Sequence, residues 1–511
     1  VQHYGGSWSG EHGDGLVRSA YNEKFFGTKI YEAFRKVKQL FDPENRMNPG
    51  KVVNAQPITE NLRYGTSYRD NSFPTEYQYR EDESFENSVH MCTGVGECRK
   101  ILGGTMCPSF KATRDEEHST RGRANALRLA MSGQLDKEGI TSHRLRETLD
   151  LCLSCKACKS ECPSNVDMAK LKSEVSQQYY DKHGASLRDK MICNSSDVAK
   201  WLSGKTASLV NKIQRSLAFR AGLEKVAGFD RRRVLPELAS ETFSQWFSKN
   251  NKPAKPNTPQ VALFADTYLN YHEPQVGIAA YHLLTACGYE VLLAEVGCCQ
   301  RPKISHGFLR EAKQAGLKTA QNLEAYLENN IPVLVCEPSC ASALNHDLTD
   351  LIADEVLAQR LQKGVLMIDQ FIHQEQLAGK INVEFSTTAP GLLIHGHCHQ
   401  KALYGTQAMK NLLETVPDLR VSEIDSGCCG MAGSFGYEQE HYELSEKIGS
   451  SVLFPTLENT DDATQTIACG FSCRHQIEHF TGKKAKHWVE TIQVKKTMNN
   501  QQKRRLCQGN P

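Results

Sequence analysis

The pattern of apolar and polar positions changes twice along the chain, and each change predicts a different kind of structure. Near the amino terminus Phe25, Phe26, Ile30, Phe34, Val37 and Leu40 recur at helical spacing, which predicts an amphipathic helix from about Glu23 to Phe41. Asp42-Pro43 and Asn48-Pro49-Gly50 close it with turn chemistry. Residues 55–85 are polar, aromatic and interrupted by proline without a period, and read as a linker. Helices return over Thr120–Met131 and Ser142–Leu151 inside a segment 86–185, and a basic helical connection follows over 186–257, with a Lys/Pro/Asn hinge at 250–258. Beyond the hinge, V-A-L-F-A-D (261–266), V-L-L-A-E-V (291–296) and P-V-L-V-C-E (332–337) are short apolar runs suited to buried parallel strands, with helical stretches such as 308–328 between them. The pattern recurs in G-L-L-I-H-G (391–396), V-S-E-I-D (421–425) and T-I-A-C-G (466–470). Both stretches place a Cys-Cys pair after the second strand and two more cysteines at the third, which reads as an internal duplication over 258–380 and 388–490. Residues 491–511 are rich in Lys, Arg and Gln and are expected to fray.

Length turns this pattern into several domains, because 511 residues exceed what one core supports. The expected class is a multidomain α+β protein. A net charge of +2, from 61 basic and 59 acidic residues, gives no electrostatic case for nucleic acid. No apolar run approaches eighteen residues, so no transmembrane helix is expected. Most of the nineteen cysteines fall in metal-ligand spacings rather than in a short disulfide scaffold, which favours a reducing cytoplasm. The chain opens on Val1 inside Gly-rich sequence, with no signal peptide in front of it, and reads as a fragment whose amino-terminal part is missing.

The densest chemistry is C-L-S-C-K-A-C-K-S-E-C-P, in which Cys152, Cys155, Cys158 and Cys162 follow the C-x2-C-x2-C-x3-C-P run of cubane iron–sulfur proteins. Zinc sites favour two separated pairs instead. A degenerate partner run lies upstream at Cys92, Cys98 and Cys107-Pro108. In a two-cluster ferredoxin topology Cys107 completes the cube held by Cys152, Cys155 and Cys158, while Cys162 reaches back to Cys92 and Cys98. The first set has four thiolates and predicts one [4Fe–4S] cluster. The second has three, and is open to a three-iron cluster, a cube with a non-cysteine ligand, or no cluster. Between the runs, S-T-R-G-R-A-N-A-L-R (119–128) carries arginines that could donate to cluster sulfurs or form an ordinary solvated face.

In the second half of the duplication stand His395-Gly-His397-Cys398-His399, Cys428-Cys429-Gly430, Cys469 and Cys473. The first half keeps Cys298-Cys299, Cys336 and Cys340, with Tyr268 roughly where Cys398 would align. Adjacent cysteines are strained as a disulfide but can offer two thiolates to one metal centre. These motifs resemble the cysteine-rich Cys-Cys-Gly family of heterodisulfide reductases and of glycolate oxidase and glycerol-3-phosphate dehydrogenase iron–sulfur subunits. The resemblance implies a non-cubane [4Fe–4S] cluster where the motif is complete. Here both halves end in Cys-x3-Cys where that family has Cys-x2-Cys, and the first half lacks the leading cysteine. Cys340 and Cys473 match the terminal ligand, whereas Cys336 and Cys469 sit one residue early. Cys398, Cys428, Cys429 and Cys473 therefore stand either as metal ligands or as structural remnants, and the histidines at 395–399 as a quinone, metal or proton-handling site.

S-G-E-H-G-D-G (9–15) and F-D-P-E-N-R-M-N-P-G-K (41–51) resemble the carboxyl end of FAD-linked oxidases of the vanillyl-alcohol-oxidase fold, a family that includes D-lactate, glycolate and D-2-hydroxyglutarate dehydrogenases. That resemblance implies FAD, Glu11 as ligand of a divalent metal (Zn or Mn), His12 as general base, and Asn48 beside the flavin. Hydroxy-acid oxidation requires a base for the hydroxyl proton, which His can supply near neutral pH, and a flavin to take the hydride. A divalent metal held by a carboxylate can polarise the hydroxyl. The expected organisation is the end of a flavoprotein oxidase domain (1–54), the linker, a mainly helical ferredoxin-type module (86–185), the helical connection, two duplicated α/β cysteine-rich domains, and a tail.

The order of modules resembles a fused bacterial dehydrogenase that oxidises a small D-2-hydroxy acid and passes electrons from FAD through the cluster to a quinone or other redox carrier. A non-catalytic electron-transfer protein and a heterodisulfide-reductase-like protein are the alternatives; the E-H-G-D-G segment speaks against a pure carrier. The chain alone is expected not to turn over substrate. A cytoplasmic location is expected, with peripheral contact at the inner face of a membrane and homo-oligomerisation both open.

Overall fold

The computed structural model describes residues 1–62, 65–252 and 255–495, and the chain divides into two units, 1–71 and 72–511. In the first unit the predicted amphipathic helix is two helices, Asn22–Phe26 and Thr28–Phe41, because Gly27 interrupts it at φ 79° and ψ 156°. That conformation is open to glycine and breaks the helical hydrogen-bond ladder. Trp8 stacks on Phe25 at 5.6 Å between centroids, and Phe26 meets Phe34 edge-on at 5.3 Å. Asp42 fixes the turn that follows, accepting from the Arg46 and Met47 N–H groups, each at 2.9 Å. The Lys38 ammonium and those N–H groups hold its carboxyl down at about 2.

The second unit begins with a correction to the sequence reading. Residues 72–85 are not a free linker: Tyr77 and Tyr79 are buried, and Glu174 accepts from the N–H groups of Glu76 and Tyr77 at 2.9 and 3.2 Å. Asp350 likewise receives the N–H groups of Tyr79 and Arg80. Two aromatics spaced two apart put one face of an extended segment into the core, while carboxylates satisfy its backbone. The helices Thr120–Met131 and His143–Asp150 start where expected, capped by Ser119 and Ser142 accepting from backbone N–H groups.

Two parallel sheets follow. The first comprises β1 (Gln260–Phe264), β2 (Glu290–Ala294), β3 (Val333–Val335) and β4 (Val365–Met367) in the order β2-β1-β3-β4. A two-residue strand, β5 (Phe385–Ser386), precedes the second sheet, which holds β6 (Gly391–His395), β7 (Arg420–Glu423) and β8 (Thr464–Ala468) in the order β7-β6-β8. Phe264 pairs with Ala294, and His395 with Ala468. Val261, Leu263 and Leu334 from one sheet share an apolar layer with Leu392, Ile394 and Ile467 from the other, closed by the fully buried Trp488. The predicted tail begins as structure, since β9 (Gln493–Val494) pairs antiparallel with β5; residues 496–511, and part of the hinge at 250–258, lie outside the described residues. No helix among the described residues is long and apolar enough to cross a membrane.

Candidate metal centres and acceptor pocket

Cys107, Cys152, Cys155 and Cys158 line one small cavity together with Arg123 and Met168, the four thiols the sequence assigned to one cube. Arg123, fully buried, donates to the Cys107 sulfur at 3.5 Å and to Ser109 Oγ at 2.9 Å. Burial alone would raise the Cys107 thiol, but the Arg123 guanidinium, the Ser109 hydroxyl and the Phe110 N–H carry it below its usual value. Burial pushes Cys155 and Cys158 well up, so a bound cation must drive their deprotonation. Of the three arginines in the intervening run, Arg123 serves this cavity. Arg121 instead sits beside Cys98, whose sulfur accepts its N–H at 3.4 Å.

Cys92, Cys98 and Cys162 belong to the neighbouring region. Thr93 and Ser164 hydroxyls meet at 3.3 Å, joining the loops that follow Cys92 and Cys162, and Arg128 donates to the carbonyl of Cys92 at 2.5 Å. The loop of the main run is anchored by a residue the sequence did not single out. Lys156, buried between Cys155 and Cys158 in the run, reaches Asp167 at 2.7 Å and Asp347 at 2.6 Å, and Asp347 also pairs with Arg301. These ion pairs fasten the four-cysteine loop to the start of helix Met168–His183 and to the helical stretch between β3 and β4. Their sequence signal is nil, because Lys156 and Asp347 are 191 positions apart.

The Cys-Cys motifs lie at the carboxyl ends of both sheets, where open parallel sheets present their loops. In the first, Cys299 and Cys340 sulfurs are 3.1 Å apart and Thr267 Oγ1 lies 3.7 Å from the Cys298 sulfur. Thr267 begins a helix after the end of β1, as Cys398 begins one after the end of β6, with Asp266 and His397 as the respective caps. Thr267, not Tyr268, is therefore the structural counterpart of Cys398, and Phe264 is that of His395. The one-residue difference from the sequence alignment arises because the cap, invisible in apolar pattern, sets the helix start.

In the second sheet the ligand atoms of His395, Cys429 and Cys473 all lie within 4.8 Å of one another, and all three residues are buried. Thiol contacts continue from Cys429 to Cys428 and from Cys428 to Cys398. Cys469 takes no part, its sulfur lying 3.5 Å from Met409 Sδ in the apolar layer between the sheets. Gly430 makes the tight turn possible: φ is 94°, and a Cβ there would sit 2.2 Å from the Ser445 carbonyl oxygen. His399 ties this motif to the cubane loop, with Nε2 at 3.0 Å from the Ser154 carbonyl and Nδ1 at 2.6 Å from Ser342 Oγ. Burial pushes His395, His397 and His399 down, His397 to about 3, so all three stay neutral.

A cavity of about 850 Å³ separates these groups from the basic helical stretch. Its inner wall carries Cys152, Cys398 and Cys428, while Ile192, Val198, Leu202, Ile213 and Leu238 make an apolar lane. Two imidazoles border it. His306 bridges Asp189 (3.2 Å) and Ser434 (2.8 Å), and His441 stacks on Phe435 and bonds Asp150 at 2.8 Å. Burial alone would lower His441, but Asp150 and Glu438 beside it carry it up to about 9. In the first unit Glu11 and His12 lie on an exposed bend, and exposed Asn48, at φ 47°, accepts from Lys51 Nζ at 3.3 Å.

Residues 1–52 match the family described as FAD linked oxidases, C-terminal domain; residues 66–166 match a 4Fe-4S dicluster domain, and residues 261–345 a cysteine-rich domain. Lactate utilization protein A of Macrococcus caseolyticus is 30% identical over 184 residues, 34% of this chain and 72% of that protein. The chain belongs to the cysteine-rich-domain iron–sulfur proteins. Within them it is similar to the D-2-hydroxyglutarate dehydrogenase of Pantoea ananatis, 25% identical over 96% of this chain and 51% of that enzyme. It is also similar to one component of the anaerobic glycerol-3-phosphate dehydrogenase of Escherichia coli K12, 28% identical over 65% of this chain and 82% of that component. The chain spans about half the length of the D-2-hydroxyglutarate dehydrogenases it matches. Its domains make FAD and iron–sulfur clusters its cofactors, and the four thiols that line one cavity beside Arg123 fit a cluster by donor set.

Proposed function

We propose that this chain is the electron-exit part of a flavin- and iron–sulfur-dependent dehydrogenase that oxidises a D-2-hydroxy acid, of the D-2-hydroxyglutarate, D-lactate or glycolate class, to the 2-oxo acid and delivers the electrons to a quinone. The observation that carries this reading is the shared wall of the two cavities: Cys152 and Leu153 border both the four-cysteine cavity and the 850 Å³ pocket. FAD and the cluster together divide a two-electron oxidation into one-electron steps. Cys107, Cys152, Cys155 and Cys158 hold the cluster, Arg123 offsets its charge, and Lys156 fixes its loop. Cys92, Cys98 and Cys162 form the incomplete second set of the dicluster domain. Glu11 serves as ligand of a divalent cation, His12 as the base that takes the hydroxyl proton, and Asn48 stands at the flavin edge.

The apolar lane suits an acceptor with a hydrocarbon tail, and His306 and His441 stand where a reduced quinone needs protons. The mouth of the lane bears exposed Val198, Ile213 and Phe219, with Trp201 and Leu217 on the same helical stretch. Lys200, Lys212 and Arg215 lie beside them in sequence, a composition that favours peripheral contact with an anionic membrane face. The two sheets, alike in strand order and motif placement, are read as two cysteine-rich repeats, of which only the second keeps a full donor set.

The FAD-loaded protein, expressed with whatever its reading frame encodes before Val1, is to be screened with D-2-hydroxyglutarate, D-lactate, glycolate and glycerol-3-phosphate against a dye acceptor. Turnover of at least one 2-hydroxy acid, lost in His12→Ala with the cluster spectrum intact, is expected. Bound FAD with no 2-hydroxy-acid turnover would defeat the reading.

A further inference from the structure

The start of the helix His143–Asp150 meets the end of the helix Met168–His183, and ligand chemistry gathers there outside every cysteine motif. One ring nitrogen of His143, one of His183 and a carboxylate oxygen of Glu138 all lie within 4.8 Å of one another, and the three residues are exposed. Each imidazole is fixed through one nitrogen. His183 Nε2 lies 3.0 Å from the Thr141 carbonyl oxygen. A carbonyl only accepts, so Nε2 carries the hydrogen and Nδ1 the lone pair. His143 Nδ1 lies 2.8 Å from the Tyr179 hydroxyl, which can accept from it and leave Nε2 for a ligand. The rings also hold one another. Tyr179 and His183, four apart on one helix face, have centroids 4.5 Å apart, and His143 lies 4.5 Å from His183. Glu138 is anchored in turn, since Lys182 Nζ donates to its Oε1 at 3.0 Å and to Thr141 Oγ1 at 3.2 Å.

We infer that Glu138, His143 and His183 bind one divalent first-row ion of the imidazole-preferring class, for which zinc is the probe. Tetrahedral zinc at about 2.0–2.2 Å from nitrogen and oxygen places its ligand atoms roughly 3.3–3.6 Å apart, a closing that exposed side chains reach by small rotations. A group that grips the outer nitrogen of a metal-bound histidine fixes its ring and its tautomer, and both histidines have one. Three protein ligands leave the fourth position to water. Exposure makes the ion exchangeable, and solvent screens the Lys182 charge beside it. The donor set holds no sulfur and shares no residue with the cluster ligands. The ion would pin the loop after the helix Thr120–Met131 to the two helix ends. Tyr179 also borders the 850 Å³ pocket, which places the ion next to the pocket wall. This assignment does not depend on the dehydrogenase reading, and a failure of either leaves the other standing.

The test is zinc titration of the whole chain, carrying its cluster, in competition with a chromophoric chelator, together with anomalous scattering at the zinc edge from zinc-soaked crystals. The wild type should take up about one zinc per chain more than His143→Ala or His183→Ala, with the anomalous peak between Glu138, His143 and His183. Thiols elsewhere are the same in every variant, so the difference counts this site alone. Tyr179→Phe keeps the ring but removes the hydroxyl that orients His143, and should weaken this zinc about 10–100-fold. His282→Ala, at an exposed histidine elsewhere, should change nothing. Both ligand histidines lie outside the core, so their substitution should leave the circular dichroism spectrum as it is. Equal zinc uptake by the wild type and both histidine variants, no anomalous peak at the three residues, or an affinity untouched by Tyr179→Phe would each overturn the assignment.

Discussion

The carboxyl edges of the two sheets are built on the same strand order and carry the same Cys-Cys loop, yet they are equipped for different work. Where the second sheet ends in His395 and starts its next helix with Cys398, the first has Phe264, packed in the core, and Thr267, a weak partner for Cys298. Where the second loop turns on Gly430, the first turns on Gln300, held at φ 64°. Substituting two donors leaves the scaffold intact and removes the nitrogen and the leading sulfur. The lesson is that a repeated fold preserves positions while chemistry survives only where each donor does. The second edge also receives the cubane loop, through Leu153 against Cys398 and Cys428 and through His399 on the Ser154 carbonyl.

The largest expected contrast is in iron content. Cys155→Ser should remove about four irons per chain and the associated visible absorption, while Cys299→Ser, at the edge without a full donor set, should remove none. Iron loss from Cys299→Ser would erase the distinction between the edges. A second contrast concerns the turn. Gly430→Ala forces a Cβ against the Ser445 carbonyl in a left-handed backbone and should cost about 3 kcal/mol in urea unfolding. Gln300→Gly relieves the same backbone but loses the Gln300 Nε2 bond to the Cys298 carbonyl at 2.9 Å, and should change stability by less than about 1 kcal/mol. Equal effects at the two positions would show that the turns are under the same constraint.

A smaller effect separates the two imidazoles at the pocket. His441 faces Asp150 from the helix His143–Asp150 and Glu438 from its own loop, and Arg188 faces it through Glu438. Its value is raised from 6.5 to about 9, so its ion pairs stabilise the fold fully below pH 6.5, and that contribution fades as pH rises through about 9. The stability gap between wild type and His441→Gln, measured by denaturant unfolding, should shrink between pH 6 and pH 9.5. A gap that widens over this range would reverse the assignment of charge.

Much of this is legible in order and spacing. The four-cysteine run, the grouping of its first three thiols with Cys107 at one cavity, and the early placement of Cys336 and Cys469 are local or periodic features, and in the fold Cys469 packs its sulfur against Met409. The strap at 72–85 reads as linker in the sequence, because two inward tyrosines two apart are too short a signal against a polar background. His395 stands out within H-G-H-C-H, but its neighbours Ser426 and Cys473 arrive from other elements. The pocket has no sequence signal at all, since its wall is assembled from the iron–sulfur loop, both sheets and the helical stretch.

Exit of electrons from the cluster into the pocket beside the second sheet is tested most directly by stopped-flow reoxidation. The chain, carrying its cluster, is reduced with dithionite and mixed either with a short-chain quinone or with ferricyanide. Leu202→Trp, which fills the apolar lane, should slow reoxidation by quinone about tenfold or more and leave reoxidation by ferricyanide unchanged. Quinone reoxidation at the wild-type rate in Leu202→Trp, with the cluster intact, would contradict the account.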